Sequence, residues 1–441
     1  MTRERFTGAD AAWLRMERPH SPMVIVGFFE LDRPIDVDTV RSIIEERLLV
    51  YERFRQRVEE NGRGRPWWVE DEQFDIAHHV FRARIVEPVG PRAFNTYVDH
   101  LASASFLGDR PMWEMHVVER LGRGSAIVAK LHHSIADGIA LMQVLLSICD
   151  DVEPTAREHR RRHRWGRVGA GVEVIGREAW QVARRPRRLA ELAGEAIGFA
   201  GATARLALLP PDPRTSLKSP LSGVKRTSWS EPIPLDRLRD IGRPLRATVN
   251  DVMLTAMSGA LRDHLLEQGE RLHRDVRAMV PFNLRPPEVG RPLGNRFGLV
   301  LPALPVGLDD PIARLHRVQE RMAQIKDTPE ASAAFSILTV MGLSGWAVES
   351  LLVRFFGTKS SAVMTNVPGP SERLRFAGRR VERIMFWVPQ AGGIGLGVSL
   401  LSYAGSVTVG ILGDTALLED PTELVARFYD ELDVLGALVA G

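Results

Sequence analysis

The order of apolar and polar positions divides the chain into elements before any chemistry is considered. "PMVIVGFFEL" is a nearly unbroken apolar run and predicts a strand over Met23 to Leu31. In "IDVDTVRSIIEERLLVYERFRQRV", Val40, Ile43, Ile44, Leu48 and Tyr51 recur at helical spacing behind Asp38, a capping residue, so a helix is predicted there. "PMWEMHVVERLGRGSAIVAKLHHS" predicts two strands joined at Gly122-Arg123-Gly124, where the turn chemistry of a hairpin falls. "DGIALMQVLLSIC" then returns to a helical pattern.

The same pattern resumes later. "ATVNDVMLTAMSGALRDHLLEQ" predicts a helix whose Thr248 and Asp251 stand three apart, as in a capping box with Asp in place of Glu. Strands are predicted in "DVRAMVPFNL", "RFGLVLPALPV", "SAVMTNV" and "RIMFWVP". "GLGVSLLSYAGSVTVGIL" predicts a hairpin turning at Tyr403-Ala404-Gly405-Ser406, and "DPTELVARFYDELDVLGALV" a closing helix. Between the halves the chain becomes arginine-rich, alanine-rich and punctuated by proline. The resulting division is 1–150, a helical linker at 151–223, and 224–441, with a mixed α/β layer in each flanking part.

Composition changes this picture little. A chain of 441 residues exceeds what one core usually organises, which fits two domains. Hydrophobic residues at 44% and charged residues at 26% are those of a globular protein. The formal net charge of +3 gives no global field for nucleic acid, so no nucleic-acid partner is expected. Positive charge gathers instead in "REHRRRHRWGR" (157–167) and "RRPRRLAE" (184–191). These read either as a solvated loop or as a patch for anionic lipid headgroups. The lone Cys149 lies in an apolar run, read as buried, and excludes an internal disulfide. No apolar leader and no run of about 18 apolar residues is visible, so the expectation is a cytoplasmic protein, peripheral on the inner membrane face or on lipid droplets.

Candidate chemistry concentrates in "KLHHSIADGIA" (130–140), at the strand-to-helix junction. Imidazole holds and releases a proton near neutrality, which suits a catalytic base. Adjacent histidines on a strand end point to opposite faces, so one of the two addresses a cleft. Asp137 follows His133 by four residues, and Gly138 gives the backbone room to turn. Other readings stay open on the residues alone: a metal site, although the spacing is not that of HExxH; a structural pair; and a serine hydrolase, although no GxSxG occurs and "GLSGW" is wrong in spacing. His78 and His79 form a second pair without the Asp and Gly, read as structural.

HHxxxDG at this place resembles the motif of the acyltransferase superfamily that includes chloramphenicol acetyltransferases, plant acyltransferases and peptide-synthetase condensation domains. The chain is most similar to the bacterial wax ester synthase/diacylglycerol acyltransferase family. "ERPHSPM", "RPMWEMHVVERL", "TVNDVML", "LGNRFG", "TNVPGP" and "WVPQAGGIGLGVSLLSYAG" carry the likeness along nearly the whole chain. The resemblance implies two chloramphenicol-acetyltransferase-like α/β domains as a pseudodimer with a channel between them. It implies transfer of a long-chain acyl group from acyl-CoA, a substrate, to diacylglycerol or a fatty alcohol, with no cofactor and no metal. His133 is implied as general base in a ternary complex, with Asp137 and His132 in the same catalytic motif, Asp137 as the carboxylate that fixes the junction and His132 as the residue that shapes the strand end. Gly138, Arg55, Asn250 and Asp251 are implied as support, Arg55 as partner of Asp137 with Arg57 and Arg285 as rivals. For Asn250 the expectation is polarising the thioester or positioning the acceptor; for Asp251, capping its helix. Trp113 is the candidate for lining an acceptor pocket. Alternatives within these limits are another alcohol or amine acceptor, or a lipid-binding protein without turnover.

Overall fold

A computed structural model describes residues 3–60, 65–86, 88–106, 109–150, 208–283, 297–326 and 346–440. The first part of the chain supplies β1 (Arg3–Arg5), α1 (Gly8–Met16), β2 (Val24–Leu31), α2 (Val37–Arg47), β3 (Gln56–Glu59), β4 (Trp67–Glu70) and β5 (Val80–Arg82). α3 (Pro91–Ser103), β6 (Trp113–Leu121), β7 (Gly124–His132) and α4 (Gly138–Ile148) follow. The later part supplies β8 (Lys225–Trp229), β9 (Ile233–Pro234), α5 (Leu235–Gly242), α6 (Val249–Glu267), β10 (Val276–Asn283), β11 (Phe297–Val300) and β12 (Ala303–Leu304). It continues with α7 (Pro311–Lys326), α8 (Trp346–Lys359), β13 (Ala362–Pro368), β14 (Arg375–Phe376), β15 (Arg379–Trp387), β16 (Leu396–Tyr403), β17 (Ser406–Asp414) and α9 (Pro421–Ala440).

Two mixed sheets organise these elements. A 6-stranded sheet runs β14-β15-β2-β7-β6-β5, and an 8-stranded one runs β11-β10-β13-β16-β17-β8 with β12 on β10 and β9 on β17. The expected mixed α/β, two-domain architecture is therefore present. Division by chain order is not how the sheets divide, however. β14 and β15, from the later part of the chain, complete the first sheet, with Trp387 opposite Val26 and Phe386 opposite Gly27 on β2. Residues 375–387 thus leave the expected 224–441 unit. β15 alone looks like any apolar strand; its partner is chosen by packing.

One core fills the space between the first sheet, α2 and α4, and takes in Val363, Val367 and Leu401 from the second sheet. α3 covers the other face of the first sheet with Phe94, Val98 and Leu101. Another core lies under α6 and α9, where Val252, Ala256, Leu261, Phe428 and Leu432 are buried. Each large apolar side chain so removed from water contributes about 1.5–3 kcal/mol.

Most of the expected elements form. The β16–β17 hairpin turns at Ala404 and Gly405, both at positive φ, as a two-residue turn with strand-matching twist requires. The long helix expected after residue 35 is shorter, however. Asp36, not Asp38, caps α2 by accepting from the Thr39 N–H at 2.8 Å, and the helix ends at Arg47. Gln56–Glu59 then pairs with β4 as a strand, so tertiary pairing overrides the helical spacing there. Cys149 is buried at the end of α4, as its setting predicted.

Gly27 permits the close approach of β15: a Cβ there would come within 2.9 Å of the Met385 carbonyl oxygen and of Phe386 Cβ. Gly27→Val is expected to destabilise the protein by about 1–3 kcal/mol. Thermal unfolding with hydrogen exchange should show the loss first in β15 amides; unchanged exchange there would exclude this role for Gly27.

Candidate active site

The junction between β7 and α4 is tied down from three directions. The His132 N–H donates to Met112 O at 3.0 Å, the His133 N–H to Met23 O at 2.8 Å, and the Ile135 N–H to His132 O at 3.0 Å. Ser134, Ile135 and Ala136 are buried without measurable exposure. Asp137 then caps α4, its carboxylate accepting from the Ala140 N–H at 3.0 Å. A negative charge at that end is favoured by the helix dipole.

The two histidines have opposite surroundings. His132 is 1% exposed. Its Nδ1 accepts from the Ser134 N–H at 3.1 Å and lies 2.8 Å from Ser134 Oγ. An amide N–H can only donate, so Nδ1 carries no proton and the ring's hydrogen sits on Nε2. Nε2 in turn donates to Glu17 Oε2 at 2.8 Å. Burial alone would raise the Glu17 pKa; hydrogen bonds from His132, Ser105 and the Met23 N–H, with the attraction of the imidazole, outweigh it and hold the carboxyl below its usual range. With its lone pair committed, His132 is not placed to accept a proton from a substrate.

His133 faces the other way. Its ring stacks on Trp13 of α1, centroids 3.8 Å apart and planes 20° from parallel. His133 and Asp137 line a cleft together with Trp13, Met279 of β10, and Thr365 and Asn366 of β13. The cleft therefore has walls from both sheets. A second cavity lies between the first sheet and α4, walled by apolar side chains including Phe29, Leu131, Leu141, Leu145 and Phe386. Gly138 lines both.

Residues 6–253 match the model described as the wax ester synthase/diacylglycerol acyltransferase catalytic domain, and residues 293–436 match the corresponding C-terminal domain. The chain belongs to this acyltransferase family. A protein of Mycobacterium tuberculosis described as the probable diacylglycerol O-acyltransferase tgs1 is 30% identical over 98% of this chain and 96% of its own. In fold, the chain resembles the wax ester synthase/diacylglycerol acyltransferase from Marinobacter aquaeolei, with TM-score 0.71 and 22% identity over 99% of this chain and 100% of that one. It also resembles the first condensation domain of the calcium-dependent antibiotic synthetase, with TM-score 0.63 and 15% identity over 100% and 97%.

Within this family member, the residues singled out from sequence separate into a cleft group and a framework group. His133, Asp137 and Gly138 reach the cleft. Gly138 has no left-handed φ, and a Cβ there would meet only Val367 Cγ2, at 3.9 Å. The expected need for a tight turn is thus not its reason; open space between the cavities is. Asn250 stands one step behind the cleft, its Oδ1 accepting from Asn366 Nδ2 at 3.0 Å. Asn366, in the "TNVPGP" segment, is the member of this pair that lines the cleft itself. Asp251 accepts from the Thr248 N–H and hydroxyl at 2.9 and 2.7 Å, completing the capping box.

Other expectations are corrected. Arg55 donates to Leu49 O at 2.9 Å, in the turn before β3, rather than serving as the expected partner of Asp137. Arg57 lies on β3, opposite Val69, in a three-stranded sheet of order β1-β4-β3. Arg285 and both basic runs lie outside the described residues. Trp113 is fully buried, with Nε1 donating to Phe54 O at 2.8 Å, and is core rather than pocket wall. His79 supports it: Nδ1 lies 2.8 Å from Trp113 O, the two rings stack, and burial pushes the His79 pKa down. Trp13 and Glu17 were not singled out by side-chain chemistry, although Glu17 stands in the quoted "ERPHSPM". Among the described residues no helix is long and apolar enough to cross a membrane.

Trp113→Phe removes one donor and leaves Phe54 O without it, an expected loss of about 1–3 kcal/mol. KM values should be unchanged in the folded variant. A raised KM with unchanged stability would return Trp113 to the substrate pocket.

Proposed function

We propose that this acyltransferase moves a long-chain acyl group from acyl-CoA to a lipid hydroxyl, that of diacylglycerol or of a fatty alcohol, in a ternary complex. His133 takes the proton from the hydroxyl as its oxygen attacks the thioester carbonyl. The carbon–sulfur bond then breaks, and His133 returns the proton to the departing thiolate, with no acyl-enzyme. The observation that carries this reading is the position of His133, on the wall of a cleft bordered by both sheets, beside a histidine whose lone pair is already committed. Family membership supplies the reaction class.

The apolar cavity beside α4 supports a long acyl chain as the donor group. Its lining is almost wholly hydrocarbon, as the binding of an aliphatic chain requires. In this reading the thioester lies near His133 and the chain passes Gly138 into that cavity, so that the acceptor occupies the remainder of the cleft.

Thiol release from palmitoyl-CoA is expected only when dioleoylglycerol or hexadecanol is present, and His133→Ala should reduce it about 10²- to 10⁴-fold. Release without acceptor, or full activity in the variant, would exclude the mechanism. Gly138→Leu should lower turnover of palmitoyl-CoA at least tenfold while sparing butyryl-CoA. Equal loss on both donors would mean that the acyl chain takes another path.

A further inference from the structure

The Glu17 carboxylate lies away from the reacting groups of the proposed mechanism, yet it joins every part that holds His133. It follows α1 directly as that helix's C-cap, and α1 carries Trp13, the aromatic against the His133 ring. Glu17 Oε2 accepts from His132 Nε2 at 2.8 Å and from the Met23 N–H at 3.4 Å. Met23 O accepts the His133 N–H at 2.8 Å, and Val24 sits opposite His132 in the β2–β7 ladder. One oxygen therefore bridges the segment that packs on His133 and the residue preceding it.

We infer that Glu17 is a positioning residue: it locks His132 as the Nε2–H tautomer and so holds the 132–134 turn and the Trp13 stack that orient the His133 ring. The physical reason is the burial of His132. Without an acceptor at position 17, its Nε2–H is left unsatisfied at 1% exposure, an unfavourable state that a ring flip or side-chain shift would relieve. Either movement takes Nδ1 away from the Ser134 N–H, which closes the turn. The segment 17–23 also loses its side-chain tie to β7 and is left with the Met23 O–His133 N–H bond. Displacement of a reacting group by about 1 Å can cost about 10²-fold in rate. Lys130 and Glu114 complete the surroundings: Lys130 donates to Ser105 O at 3.3 Å and stands opposite Glu114, so Glu17 is not the only charge there.

The inference rests on the proposed role of His133, but its first test needs no turnover. In protein labelled with ¹⁵N-histidine, His132 should show an unprotonated Nδ1 and a protonated Nε2, and the His133 ring protons should be shifted upfield by the Trp13 ring. Glu17→Ala should abolish the upfield shift, and Glu17→Gln, which keeps a carbonyl acceptor, should restore it. In turnover, Glu17→Ala should lower kcat about 10- to 100-fold with KM for acyl-CoA within threefold, and Glu17→Gln should recover most of it. A His132 protonated on Nδ1 in the native chain would overturn the inference, as would an unchanged His133 shift in Glu17→Ala. If Glu17→Ala does not fold, the native tautomer and the Glu17→Gln spectrum still decide. A native chain that shows the tautomer and the stack without turnover on any acceptor would refute the proposed reaction and leave this positioning role standing.

Discussion

The pairing of β15 with β2 is the constraint on which the rest depends. A strand from the later part of the chain completes the first sheet, and the residues on either side of it are then committed in space. Ile384, Met385 and Phe386 wall the apolar cavity; Val388, Pro389 and Ala391, just beyond, wall the cleft. The Ser21 hydroxyl donates to Gln390 O, tying the same stretch to the segment that supports His133. Without this crossing, each sheet would hold only part of a wall.

Adjacent histidines come to opposite tasks because a strand end alternates its side chains. His132 turns toward the face that carries the buried Lys130 and His116 and the partly exposed Glu114. Burial pushes the Lys130 pKa down, and Glu114 and Glu17 oppose that shift. His116 is likewise pushed down by burial, with Glu114 opposing. Such a row is tolerable because its members pair; removing one partner leaves a costly charge or donor behind. His133 turns toward the cleft, with its ring stacked on Trp13.

Two glycines at the site serve space more than backbone freedom. Gly27 lets β15 approach, and Gly138 leaves an opening where the cleft and the apolar cavity share a wall. Both are invisible to a reading that treats glycine as a turn signal. The Asn250–Asn366 bond illustrates a related point: a residue can matter to a cleft by orienting the side chain that lines it.

What the amino-acid order determined by itself was local. Apolar runs located β2, β6, β7 and β13, the Thr248–Asp251 spacing produced its capping box, and the turn chemistry at Ala404-Gly405 set its hairpin, because each depends on neighbours a few residues away. The junction 132–138 was legible for the same reason: a polar cluster closing an apolar run is a local anomaly. Tertiary structure alone decided which sheet received β15, that Gln56–Glu59 became a strand, that Trp113 was core, and that Arg55 bonded a nearby carbonyl instead of Asp137. It also decided that Trp13 and Glu17 flank the histidines. These contacts join residues more than a hundred positions apart in several cases, and their energies come from burial and from the satisfaction of buried polar groups, which no spacing along the chain encodes.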